Sequence, residues 1–412
     1  MARHWQHTAV HESWLRTQEL GLLDFGRGVV REDGTAAWLD NDGVPDARHA
    51  SETWLTARMA HVYYLGSLRG VPGCLPLARE LMRGLDETVR DQANGGWETE
   101  LPATDATEKS AYAHSFVVLA GATGTVAGDP RARRVLDDAL EVVDARFWEP
   151  EFGLFADTWS RDWSVKDGYR GINANMHMVE AMLAASDATG EPKWASRALG
   201  VCEWVAARAE ANGWRIPEHF DQTWTANLEF NRDHPADQFK PYGATVGHAF
   251  EWSRLMVQAS ALANDPSVLV NAARALFAGA VRDGWSPDGQ PGFVYTTDWA
   301  GTAIVSDRLH WVAAEAIGAA AVLATALPED GVGEASYSDL YADWWDYVAQ
   351  YVVDRERGSW RHQLDANNAP ASTVWDGKPD IYHAYQAVLI SQLPTSTSIA
   401  RAISEGGDGE WA

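Results

Sequence analysis

Helical periodicity runs through most of the 412 residues, and it recurs in pairs. One set of predicted helices covers residues 4–20, 75–91, 130–146, 192–210, 266–281 and 335–354. The alternate set covers 50–67, 109–125, 172–187, 243–262, 307–325 and 380–393. Asp129-Pro130 and Asp265-Pro266 each supply an N-cap followed by Pro at the first helical position. The first set is rich in charge and reads as an outer layer. The second is rich in Ala, Val, Leu, Met and aromatics, and reads as buried on most sides. Between each outer helix and the next inner one lies a Gly/aromatic segment with short alternating stretches: 25–39, 95–101, 152–163, 213–220, 284–299 and 358–364. Six copies of outer helix, aromatic loop and inner helix close into one ring more readily than they split into separate domains. The expectation is an all-α (α/α)6 barrel, a single catalytic domain over residues 1–412, with the six long loops on one rim.

Comparison of the inner helices brings out a chemical pattern. His114, His177, His248, His310 and His383 each stand near the start of one, and Arg58 takes the matching place in the sixth. Successive spacings from Arg58 are 56, 63, 71, 62 and 73 residues, which follow the repeat. A lone helical histidine is usually a satisfied core residue. Five of them in one register predict side chains at a common level, converging below the aromatic rim. Glu180, Glu251 and Gln386 each follow one of these histidines by three residues and share its helical face. Asn173 precedes His177 by one turn, and Glu315 follows Trp311 by one turn.

Composition narrows the partners. With 58 acidic residues against 33 basic ones, the formal charge of −25 repels nucleic acid and anionic membranes. Cys74 and Cys202 sit in apolar helical stretches and read as buried thiols, neither a disulfide framework nor a zinc site. The start Met1-Ala-Arg-His-Trp5 lacks the apolar run of a signal peptide, and no stretch is long enough to span a bilayer, so a cytoplasmic location is expected. Several of the 21 tryptophans fall in the Gly-rich loops, where flat aromatic faces suit the C–H faces of a pyranose.

Three chemistries compete for such a site. A His-x-x-Glu pair could ligate a cation, yet the His-Glu-x-x-His signature is absent and di-iron bundles use the reverse order. No metal or other cofactor is therefore expected. Glycoside hydrolysis needs two carboxyl groups across the scissile bond, and Glu180, Glu251, Glu315 and Asp380 are available. A site dominated by imidazoles suits proton abstraction near neutral pH better. A carbohydrate-binding protein without catalysis would explain the aromatic loops but not the histidines.

At these residues the chain resembles the N-acylglucosamine 2-epimerase superfamily, and within it the aldose–ketose isomerase branch that includes mannose and sulfoquinovose isomerases. The matching segments are Trp54-Leu-Thr-Ala-Arg-Met-Ala-His-Val-Tyr63, Asn173-Ala-Asn-Met-His-Met-Val-Glu-Ala181 and Gly247-His-Ala-Phe-Glu-Trp252. Gly292-Phe-Val-Tyr-Thr-Thr-Asp-Trp299, Arg308-Leu-His-Trp-Val-Ala-Ala-Glu-Ala316 and Lys378-Pro-Asp-Ile-Tyr-His383 complete the set. The resemblance covers about residues 10–393. It implies an (α/α)6 barrel, no metal, and interconversion of a free hexose such as mannose with its ketose through an enediol. Sugar 2-epimerisation and sulfoquinovose isomerisation are the alternatives on the same scaffold. By the same resemblance His248 and His383 take the acid/base roles, and His177 helps hold or open the sugar ring. Arg58, Tyr112, Asn173, Glu251, Trp311 and Asp380 join His177 as candidate substrate-binding residues. The implied partner is a small monosaccharide.

Overall fold

The computed structural model describes residues 4–406. Twelve helices alternate between two layers: α1 (Ala9–Phe25), α2 (Thr53–Leu68), α3 (Cys74–Arg83), α4 (Ala111–Val126), α5 (Pro130–Val142), α6 (Ile172–Thr189), α7 (Pro192–Ala211), α8 (Val246–Ser260), α9 (Pro266–Gly284), α10 (His310–Ala326), α11 (Tyr337–Tyr347) and α12 (Tyr382–Ile390). The even-numbered helices pack on one another in order, and α12 returns to α2. Each odd-numbered helix packs outside the inner helix before it, with α1 against α12, so the ring closes in both layers. The layers differ as the composition predicts. Every residue of α8 is buried, whereas α5 buries only Ala132, Val135, Leu136, Ala139 and Leu140, a stripe at helical spacing. Asp129 and Asp265 accept from the amides of Arg131 and Ser267, the N-caps the sequence predicts. The architecture is an (α/α)6 barrel.

The loops hold the repeats together by one recurring bond. The first amide of an inner helix donates to a carbonyl in the following repeat's loop: Thr53 to Thr99, Ala111 to Asp157, Ile172 to Glu218, Val246 to Tyr295 and His310 to His362, at 2.8–3.1 Å. The Lys378 amide donates to the Leu39 carbonyl at 2.9 Å and links the sixth repeat to the first. A basic residue just before four of the inner helices reaches back to a carboxylate in its own loop. These pairs are Lys109–Asp91, Arg170–Glu149, Arg308–Asp288 and Lys378–Asp354, all at 2.7–2.9 Å. Asp40, Asp221, Asp298 and Asp365 each accept two amides, two and four residues on, and so fold the loop tips. Most loop tryptophans serve this scaffold. Trp97, Trp159 and Trp163 donate their indole N–H to backbone carbonyls of Leu85, Arg146 and Asn94.

Three features depart from the predicted layout. The first outer helix begins at Ala9, not at residue 4. A further helix, α13 (Ile399–Gly406), follows the last inner one and packs on α2, α4, α6 and α12. Residues 221–243 make a long excursion between the fourth loop and α8. Cys74 and Cys202 are buried free thiols, as expected. No described helix is long and apolar enough to cross a membrane. Met1–Arg3, part of the start from which a missing leader was read, lie outside the described residues.

Candidate active site

The inner helices share an internal register finer than the histidine spacing. Arg58, Phe116, His177, Glu251 and Glu315 are each the sixth residue of their helix. One turn above them, at the second position, stand Trp54, Tyr112, Asn173, Gly247 and Trp311. Arg58, His177 and Glu251 of the lower tier and Tyr112, Asn173 and Trp311 of the upper one line a cleft, together with loop residues Phe239, Tyr295, His362 and Trp375; its empty space, open mouth included, is about 530 Å³. All nine residues proposed from the sequence line it: Arg58, Tyr112, Asn173, His177, His248, Glu251, Trp311, Asp380 and His383.

His114 is the exception to the expected ring of histidines. It lies two positions before Phe116, and 100° per residue turns it to the opposite side of α4. There its Nε2 accepts from the Trp97 amide at 3.1 Å, its Nδ1 meets the Ser110 carbonyl at 2.7 Å, and Phe147 and Trp163 pack on its ring. It is a core residue.

Each of the two candidate proton-transfer histidines is braced by a carboxylate. Glu315 Oε1 lies 2.8 Å from His383 Nδ1, and Glu218 Oε2 lies 3.0 Å from His248 Nδ1. A carboxylate at Nδ1 assigns the hydrogen to that nitrogen and leaves Nε2 as the basic lone pair. The Trp311 ring stands between the imidazoles, 5.4 Å from His248 and 5.8 Å from His383. It fits there because Gly247 has no side chain; a Cβ would fall 2.2 Å from the indole. Burial, followed by the Arg58 charge, holds His383 and His177 well below the ordinary histidine range, so both rings are neutral.

Arg58 is fully enclosed. It bonds Asp380 at 3.1 Å and the Tyr112 hydroxyl at 3.0 Å, with the rings of Phe116 and Tyr382 at 4.4 and 4.7 Å. Burial opposes its charge, but Tyr112, Asp380 and Tyr382 outweigh that and keep it cationic. Burial, aided by Asp380, Glu251 and Glu52, pushes the Tyr112 hydroxyl up to about 12 against the opposing pull of Arg58.

Below the cleft, Arg254 lies 3.0 Å from Glu315, 3.6 Å from Glu251 and 4.0 Å from Glu180. Burial and the neighbouring Glu315 raise Glu251 well above the usual carboxylate range, which makes it the protonated member. Two groups here, His177/Glu180/Glu251 and Glu251/Glu315/His383, bring potential ligand atoms within 4.8 Å of one another. Arg254 already acts as counter-ion to Glu315 and Glu180, and Glu251 holds a proton, so the arrangement is a poor fit to a second, divalent charge.

Sequence reasoning missed Glu218, Gln238, Phe239, Tyr295, His362 and Trp375, and counted His310 without assigning it to the site. Phe239 roofs the cleft, with Tyr112, Trp375 and Trp54 at 5.6, 5.9 and 6.1 Å. The Tyr295 hydroxyl donates to the Asp237 carbonyl at 3.0 Å and anchors that roof. Residues 237–240 fall in a largely polar, Pro-flanked stretch whose one aromatic residue, Phe239, has no periodic neighbour to tie it to the ring. Glu218 was findable, since it precedes two aromatic residues in the fourth Gly/aromatic loop.

A family model for N-acylglucosamine 2-epimerase (GlcNAc 2-epimerase) matches residues 34–387. The chain is 44% identical to a D-mannose isomerase of Thermobifida fusca over 409 residues, covering 98% of this chain and 99% of that one. It is 40% identical to a D-mannose isomerase of Pseudomonas cannabina pv. alisalensis, with 97% of each chain covered. A crystal structure of D-mannose isomerase superposes with a TM-score of 0.85 at 25% identity, covering 92% of this chain and 97% of that one.

Proposed function

This chain belongs to the N-acylglucosamine 2-epimerase family, and from that premise we propose that it is an aldose–ketose isomerase interconverting D-mannose and D-fructose. The observation that carries the reading is the pair of carboxylate-braced imidazoles, Glu315–His383 and Glu218–His248, on either side of Trp311. Full-length relatives named as D-mannose isomerases supply the substrate. The single domain is proposed to span the whole chain and to act in the cytoplasm.

The C2 proton of an aldose is a weak acid even in the open chain. Ring opening needs a general acid, enolisation needs a base, and charge developing at O1 and O2 needs donors. His383 Nε2 takes the proton from C2 as the electron pair moves onto O1 of the C1 carbonyl, giving the enediolate. A proton passes from O2 to O1 with the help of His248, and the His383 imidazole returns the carbon-bound proton to C1, giving the ketose. His248 acts from the other side on the ring oxygen or on the O1 and O2 hydroxyls. Arg58, His177, Asn173, Tyr112, Glu251 and Asp380 hold the sugar, and Trp311 offers its face to the ring.

The substrate is a neutral hexose. Arg58 is the one cationic side chain lining the cleft among the described residues, and Asp380 already pairs with it. Arg361 is tied to Asp354 and to the carbonyls of Tyr351 and Val353. An anionic sugar would meet no free cation there, so kcat/KM for sulfoquinovose should fall well below that for mannose.

Replacing His248 or His383 with Ala should lower kcat by about 10²–10⁴-fold with the fold intact. Exchange of the C2 proton with solvent should be lost in His383→Ala. Exchange lost only in His248→Ala would reverse the two roles, and near-native turnover in both variants would overturn the mechanism.

A further inference from the structure

His310 and His362 form a stacked pair in the wall of the cleft, with ring centroids 3.8 Å apart and planes at 22°. Both are buried. Carbonyl contacts fix where their hydrogens lie. His362 Nε2 is 3.0 Å from the Asp380 carbonyl and must donate to it. His310 Nδ1 is 3.3 Å from the His362 carbonyl, which also accepts the His310 amide at 3.0 Å. With its hydrogen on Nδ1, His310 presents Nε2 as a bare acceptor. That atom is buried and has no partner.

We propose that His310 is a substrate-binding and specificity-determining residue, accepting a hydrogen bond at Nε2 from a hexose hydroxyl outside the C1–C2 pair, and that His362 is the residue that positions it. The proposal rests on the isomerase reading. A buried acceptor without a partner is costly, and a sugar hydroxyl supplies the missing donor. Burial keeps both imidazoles neutral, and the His310 ring further disfavours a proton on His362. An acceptor-only nitrogen rewards a hydroxyl and gains nothing from a deoxygenated carbon or an anionic substituent. Among the described residues no carboxylate contacts His310 at hydrogen-bond distance, unlike His248 and His383, which separates hydroxyl binding from proton transfer. Its ring lies 6.4 Å from that of His383, within reach of the same sugar.

The test measures kcat and KM of the wild type, His310→Phe and His310→Gln on D-mannose and its 3-, 4- and 6-deoxy analogues. His310→Phe should raise KM for mannose about tenfold, with kcat much less affected. For one deoxy sugar the wild-type and Phe variant should be equal in kcat/KM, because the contact is already missing. His310→Gln retains an acceptor and should recover part of the loss; it also carries the test if the Phe variant does not fold. The same factor of loss for all four sugars, or no loss for mannose, overturns the assignment. A wild type that does not turn over mannose at all contradicts the isomerase reading instead, so the two failures are distinct.

Discussion

At the scale of single residues, the two proton-transfer imidazoles are braced by carboxylates, Glu218 and Glu315, that do not touch the sugar in the proposed mechanism. Glu218 contacts His248 through Oε2, while its Oε1 is buried without a hydrogen-bond partner. Its loss should therefore act mainly through His248. Glu218→Gln keeps an acceptor for Nδ1 but removes the charge that stabilises an imidazolium in the transition state. A fall in kcat of about tenfold or more is expected with KM nearly unchanged. Steady-state kinetics on mannose check this, and an effect on KM alone would place Glu218 in binding. The residues themselves were largely legible in the sequence, because His177, Glu251, Trp311 and His383 stand in distinctive helical segments. The bracing carboxylate Glu218 and the stacked His362 were not. Both sit on loops, where no helical period ties a position to a face.

At the scale of elements, the inner-helix register explains which histidines meet and which do not. Counting histidines gave the ring, but a two-residue offset put His114 on the outer side of α4. Sequence spacing fixes a face only to within one residue once helix starts are known, and those starts are set here by the amide-to-carbonyl bonds between repeats. Helix existence and pairing were readable from periodicity; α13 and the roof at residues 237–240 were not, being short or aperiodic. The second tier contains a single gap, Gly247, and the Trp311 indole fills it. Gly247→Ala should push the indole from between His248 and His383. Activity is expected to fall about 10²-fold, a cost typical of a 1 Å misplacement, while thermal stability drops less than in a core cavity variant. Wild-type activity in Gly247→Ala would show that Trp311 does not set the spacing of the two imidazoles.

At the scale of the whole molecule, buried neutral histidines tie stability to pH. Burial holds His61 and His310 at about 4 and His114 at about 3. The unfolded chain titrates these groups near 6.5. Between the folded and unfolded values the unfolded state binds more protons, so stability falls as pH drops from about 6.5 towards 4, by up to roughly 1.4 kcal/mol per pH unit for each histidine. Melting temperatures at pH 7.5, 5.5 and 4.5 in 0.15 M salt, which screens the net charge of −25, should decline in that order. A flat profile would mean that these rings accept protons in the native state. The central claim, metal-independent isomerisation through an enediol, is tested most directly by incubating the chelator-treated protein with D-mannose in deuterated water and following the products by NMR. The account predicts D-fructose as the product at the same rate as the untreated protein, with any deuterium at C1, in the proportion to which His383 exchanges its proton with solvent before returning it. D-Glucose labelled at C2, or activity that returns only when zinc, manganese or cobalt is added, would contradict it.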